Sequence, residues 1–175
     1  MIACCVGNGS MTLYRVWRDM IRYDAGRNRL YVHLLMNRAS KWADIDSHIP
    51  HHGQVDVKLK QGIELALRIP GWASSREASC SINGKPVGKK MEGRYFLVRA
   101  DKGETVTLKM PIADERSKVS LPIGEYEVAL RGSEVVEISP RGKNYPLFER
   151  GRYRNEETQW RTVRRFVSDR VIKEY

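Results

Sequence analysis

No stretch of this sequence stays apolar for the roughly 18 residues that a membrane-spanning helix needs. Nor does the start supply a secretory signal. Met1-Ile2-Ala3-Cys4-Cys5 is too short for an apolar core and follows no basic leader. Cysteine is scarce: there are three, an odd number, and two of them are neighbours. Adjacent cysteines close a disulfide only with strain, so a disulfide framework is not supported and a reducing compartment, the cytoplasm, is expected. Internal repeats and low-complexity linkers are lacking as well. Negative charge is in deficit, and the formal net charge is +10. Residues 141–175 hold ten Lys/Arg against five Asp/Glu, which is half of that excess. There the cations alternate with Tyr145, Phe148, Tyr153, Trp160 and Phe166. No nucleic-acid-binding motif accompanies them, so the segment reads as a basic, partly buried tail and no nucleic-acid partner is expected.

What the sequence does contain is mostly strand. One amphipathic segment comes first: Leu13, Val16, Trp17, Met20 and Ile21 recur at helical spacing, with Arg15, Arg18, Asp19 and Arg22 opposite. Ser10 suits an N-cap and Asp24-Ala25-Gly26 a stop. A lone amphipathic helix needs a surface to lie on. After Gly26 the period changes to two. Leu30 to Leu34, Val55 to Leu59, Ile63 to Ile69, Ala78 to Ile82, Tyr95 to Val98, Val106 to Met110, Val119 to Leu121, Tyr126 to Leu130 and Val135 to Ile138 all read as strands. Asn83-Gly84 suits a tight hairpin, because both residues tolerate positive φ. Short strands with Gly and Pro turns and no helix between them predict an antiparallel β-sandwich over 29–140. Segment 141–175 is less regular, with a short helix or an extended run over 156–167 as alternatives.

The chemistry-bearing residues are few. Cys4 and Cys5 precede a Gly7-Asn8-Gly9-Ser10 turn and the helix. A thiolate is a strong nucleophile and a zinc ligand, and its pKa falls beside a metal or a helix amino terminus. Zinc takes four ligands, so the pair supplies at most half of a site. An incidental doublet is the alternative. His48-Ile49-Pro50-His51-His52 gathers three histidines, but the proline prevents an i,i+4 pair on one helix face. That cluster reads as a loop before Val55 rather than a metal site. Cys80, alternating with Ala78 and Ile82, reads as a buried small apolar residue, and His33 as a packed strand residue. Asp44 and Asp46 share a side only if the segment is extended. Trp42 and Trp72 would stack on a sugar if this were a non-catalytic carbohydrate-binding sandwich; otherwise they are core or interface residues.

Several segments together resemble glycoside hydrolase family 127, the β-L-arabinofuranosidase family. Cys4-Cys5-Val6-Gly7-Asn8-Gly9-Ser10, followed by Leu13-Tyr14 and Trp17, is similar to its cysteine-pair segment. Leu30 to Ser40 resembles the first strands after its catalytic barrel. Arg68-Ile69-Pro70-Gly71-Trp72-Ala73 resembles its RIPGWA motif, and Ser81 to Val87 its V-N-G-x-x-V hairpin. Lys102-Gly103-Glu104-Thr105-Val106 stands where the family has pGD-x-V, with Glu104 in place of the aspartate. The likeness extends more loosely to Tyr145-Pro146-Leu147-Phe148-Glu149-Arg150. Val6-Gly7 replaces the prolines that usually follow the cysteine pair.

The resemblance implies an (α/α)₆ barrel joined to β-sandwiches. It implies zinc held by one glutamate and three cysteines, and a cysteine nucleophile in a retaining mechanism. The pair maps onto Cys4 and Cys5, with Cys4 at the nucleophile position and both as zinc ligands. The other ligands and the acid/base glutamate lie upstream in the family. Residues 1–28 are thus expected to end a helical catalytic domain, 29–140 to form the sandwich and 141–175 the tail. The chain is expected to be the carboxy-terminal part of a glycosidase acting on an L-arabinofuranoside-type saccharide, inactive alone for want of its acid/base residue.

Overall fold

The computed structural model describes residues 3–140, with side chains from Gly7 onward. The described residues form one helix, α1 (Ala3–Asp19), and fourteen strands. The first sheet runs β1 (Ile21–Asp24), β2 (Arg29–Val32), β6 (Ile63–Arg68), β10 (Tyr95–Ala100), β9 (Met91–Glu92). The second runs β3 (Arg38–Ala39), β4 (Ala43–Ser47), β5 (Gln54–Leu59), β11 (Thr105–Lys109), β7 (Ser79–Ile82), β8 (Lys85–Pro86). A third holds β12 (Asp114–Leu121), β13 (Gly124–Arg131) and β14 (Glu134–Ser139). The chain is mainly β, a sandwich preceded by one helix.

The period-two pattern explains the two layers. Leu30, Val32, Ile63, Leu65, Leu67, Phe96 and Val98 of the first sheet meet Ala43, Ile45, Val55, Val57, Leu59, Val106 and Leu108 of the second in one buried cluster. Each such aliphatic side chain taken out of water contributes roughly 1.5–3 kcal/mol. The expected hairpin forms at Asn83 (φ 50°) and Gly84 (φ 79°), and Val87 closes it by donating to the Cys80 carbonyl at 3.0 Å. Pairing is antiparallel except at one junction. β2 runs parallel to β6, Leu30 opposite Leu65 and Val32 opposite Leu67. All four residues of β2 are buried. A strand covered on both faces is what its near-continuous apolar character suggested.

The helix differs from expectation at both ends. Ser10 is not its cap. α1 begins at Ala3, and the Ser10 hydroxyl donates to the Gly7 carbonyl at 2.9 Å, as that of Thr12 does to Asn8 at 2.8 Å. Hydroxyls that bond back within the helix remove the need for a turn there. The stop comes at Asp19, because Met20 and Ile21 leave the helical stripe and enter the sandwich core. The Met20 carbonyl accepts from His33 (2.7 Å) and Leu34 (3.3 Å). Asp24 to Asn28 is instead the β1–β2 turn, with Asn28 at φ 47°. β1 therefore pairs with β2 although it lies within residues 1–28. From Gly7 to Asp19 every side chain of α1 is exposed, Leu13 at 72% and Trp17 at 52%. Residues 141–175, including the helix-or-extended alternative at 156–167, lie outside the described residues.

Gly53 marks the tightest backbone approach. A Cβ there would lie 1.8 Å from the Met110 carbonyl oxygen, while the Met110 N–H donates to the Gly53 carbonyl at 2.8 Å. Gly53→Ala is expected to lower stability by about 1–3 kcal/mol, the cost of overpacking. Urea unfolding measures it; an unchanged midpoint would show that this join yields freely.

Candidate functional site

Cys4 and Cys5 are the second and third residues of α1. The first turn of a helix carries unbonded N–H groups and the positive end of its dipole. Among the described residues no group of three His, Cys, Asp or Glu could hold a metal.

The other sequence candidates separate. The histidine loop is a turn, as expected, and its members have structural partners. His48 Nε2 lies 2.8 Å from Asp56 Oδ2, which also accepts from Gln54 at 2.9 Å, while Thr107 donates to Oδ1 at 2.5 Å. Burial pushes the Asp56 carboxyl up, but the bonds from Thr107, Gln54 and His48 outweigh it and hold it below the usual range. That network ties β5 to β11 and to the loop. Asp44 and Asp46 share one side of β4, flanking buried Ile45. Lys60 Nζ pairs with Asp44 at 2.9 Å, and Asp46 faces Asp56 across the β4–β5 ladder. Cys80 is buried, which raises its thiol to about 11 against a smaller lowering by the Ser81 backbone. It stays a thiol at neutral pH. Trp42 stacks on Tyr23 with centroids 5.1 Å apart. A Cβ on Gly132 would meet the Trp72 ring at 3.2 Å. Both tryptophans are half-buried and pack on the main core.

A group that the sequence reading did not assemble occupies the outer face of the first sheet. Register aligns Asp24, Arg29, Glu64 and Arg99 in one row, and Arg22, Tyr31, Ala66 and Leu97 in the next. The third row brings Arg68, Tyr95 and Glu92 together beside His33. Arg29 is 8% exposed. Its Nε donates to Glu64 at 2.6 Å and its Nη1 to Glu92 at 2.8 Å and to the Tyr31 hydroxyl at 3.2 Å. Hydrogen bonds to Glu92, Tyr31 and Glu64 raise its pKa further, and Arg29 in turn lowers that of Glu92. His33 Nδ1 lies 2.8 Å from the Tyr95 hydroxyl. Tyr31 stacks on His33 and meets Tyr95 edge-on. The alternation Arg29-x-Tyr31-x-His33 was the available signal, but the pairing of β2 with β6 is not encoded locally.

Burial, then the charges of Arg22 and Arg68, lower the pKa of His33, with Asp19 opposing them. A depressed histidine stays neutral in the fold while the unfolded chain takes up a proton. Its stabilisation is complete above the ordinary value near 6.5 and is lost as pH falls through the lower folded value. Unfolding midpoints at pH 7.5 and 5.5 are expected to differ more for the natural chain than for His33→Gln. Equal differences would mean that His33 titrates as it does in water.

Residues 29–112, from β2 through β11, match the family model described as beta-L-arabinofuranosidase, GH127 middle domain. No curated protein matches the chain. Among solved structures, a GH127 β-L-arabinofuranosidase from Geobacillus stearothermophilus T6 aligns with TM-score 0.58 and 24% identity, over 77% of this chain and 24% of that one. A protein described as a glycoside hydrolase aligns at 0.46 and 24% identity, covering 61% and 20%. A GH127 β-arabinofuranosidase aligns at 0.47 and 20%, covering 62% and 22%. The first shows a shared fold. The chain spans about a quarter of that relative's length.

Proposed function

We propose that this chain, which belongs to the GH127 β-L-arabinofuranosidase family through its middle domain, is the carboxy-terminal part of a zinc-dependent retaining glycosidase acting on an L-arabinofuranoside-type saccharide. One observation carries the reading. The family-matched sandwich is preceded by a helix whose first turn holds two adjacent cysteines and whose far end is hydrogen-bonded into the sandwich through Met20. Within this reading, α1 ends a helical catalytic domain and 141–175 form a basic tail.

The thiols fit zinc by donor chemistry, since thiolates are among its usual protein ligands. Cys4 and Cys5 would supply two of four, leaving the rest to come from outside this chain. When bound, the metal keeps sulfur ionised at neutral pH. Cys4 then acts as nucleophile. Its sulfur attacks the anomeric carbon, the C–O bond to the leaving group breaks, and a carboxylic acid outside this chain protonates the departing oxygen. In the second half, water gives that carboxylate a proton and adds to the anomeric carbon. The C–S bond breaks and Cys4 leaves as a thiolate. Two inversions retain the configuration.

The chain by itself is expected to turn over no aryl β-L-arabinofuranoside and to lose zinc readily to a chelator, with Cys4→Ser or Cys5→Ser abolishing what zinc binding there is. Turnover by this chain alone, or tight stoichiometric zinc in it, would contradict the proposal.

A further inference from the structure

We propose that Arg22, His33, Arg68 and the Tyr95 hydroxyl form a binding site for the carboxylate of an acidic saccharide, a uronate, on the outer face of the first sheet. The saccharide class rests on the glycosidase reading above; the anion site does not. Arg22 (β1) and Arg68 (β6) lie on either side of β2, with buried Tyr31 of β2 and half-buried His33 just after it between them. Neighbouring strands are about 4.8 Å apart, so β1 and β6 stand about two such spacings apart across β2, a gap that two arginine side chains reaching toward each other can close on one planar anion. Arg22 sits 5.1 Å above the Tyr31 ring.

The face separates its cations into two kinds. Arg29 is buried and held by Glu64 and Glu92. Arg22 and Arg68 are exposed, and among the described residues neither has a carboxylate within ion-pair reach. The apolar floor is already covered: Tyr31, Ala66 and Leu97 are each 8% exposed or less. No hydrophobic patch remains for a protein partner. Hydrogen-bond donors remain, namely two guanidiniums and one more from the His33–Tyr95 pair, whose mutual bond uses the other. That set suits a small oxygen-rich anion, which arginine grips in bidentate fashion.

The charges acting on His33 are Asp19 from the end of α1, Arg22 from β1 and Arg68 from β6, with the Tyr95 hydroxyl from β10 bonded to its Nδ1; the nearby Arg29 of β2 and Glu92 of β9 are paired with each other. In the free protein burial, then the charges of Arg22 and Arg68, hold the His33 pKa below its usual range. An anion lodged between Arg22 and Arg68 offsets their charge, so His33 takes up a proton from solvent as the carboxylate binds. Affinity therefore rises as pH falls from 7.5 to 5.5, where a uronate is still ionised.

The test follows the His33 ring resonances of the whole chain by NMR during titration with digalacturonate, a neutral digalactoside and inorganic phosphate. Digalacturonate is expected to shift His33 saturably, several-fold more tightly at pH 5.5 than at 7.5. Arg22→Ala and Arg68→Ala should each weaken binding roughly 10–100-fold, the range for a lost charged hydrogen bond. Both side chains are exposed, so unfolding midpoints should stay unchanged and separate lost binding from lost folding. Equal response to phosphate would reduce the site to an unselective anion hole. Equal response to the neutral sugar, no shift of His33, or full binding by either variant would overturn the proposal. None of these results bears on Cys4 or Cys5, whose test is zinc and turnover.

Discussion

The parallel join of β2 to β6 is the constraint on which the rest of the structure depends. Every other ladder is antiparallel. This one sets β2 beside β6 across three strands, β3 to β5, that belong to the other sheet. Its consequences run both ways through the sheet. Inward, Leu30 and Val32 complete the core against Leu65 and Leu67. Outward, it places Arg29 on Glu64 and His33 near Arg68. Backward, it fixes β1, and with it the Met20 carbonyl where α1 ends. The position of the helix, and so of its cysteine-bearing first turn, is inherited from a strand pairing with no local cause.

That dependence explains which features the sequence disclosed. The alternating strands β5, β6, β10 and β11 were legible because each has one apolar face, and Asn83-Gly84 because only a few residues accept its dihedrals. β4 was missed: Ala43 and Ile45 face inward between aspartates, too little apolar bulk for a strand to announce itself. β1 was missed for the opposite reason. Met20 and Ile21 continue a helical stripe in sequence yet belong to the sandwich core. Gly7 and Gly9 disfavour a helix by roughly 1 kcal/mol each, yet α1 runs through both. Of the site, the cysteine pair was plain by resemblance, whereas the Arg22–His33–Arg68 group depends on register and could not be read along one strand.

The helix and the outer sheet face show two ways in which this chain meets its surroundings. α1 exposes Leu13, Val16 and Trp17, with Arg38 stacked 3.7 Å over the Trp17 ring as its nearest cover. The sheet face has done the reverse, folding its tyrosines under arginines and presenting only polar groups. Cys80 and the histidine loop serve the core and the β5–β11 seam, as their sequence context suggested.

The claim that β2 anchors the end of α1 can be measured directly by amide hydrogen exchange. The His33 N–H, donated to Met20, and the β2 amides paired with β6 should exchange only on global unfolding, while the amides of α1 should exchange much faster. A His33 amide that exchanges as quickly as those of the helix would mean that the sandwich does not hold the helix in place, and the account would fail.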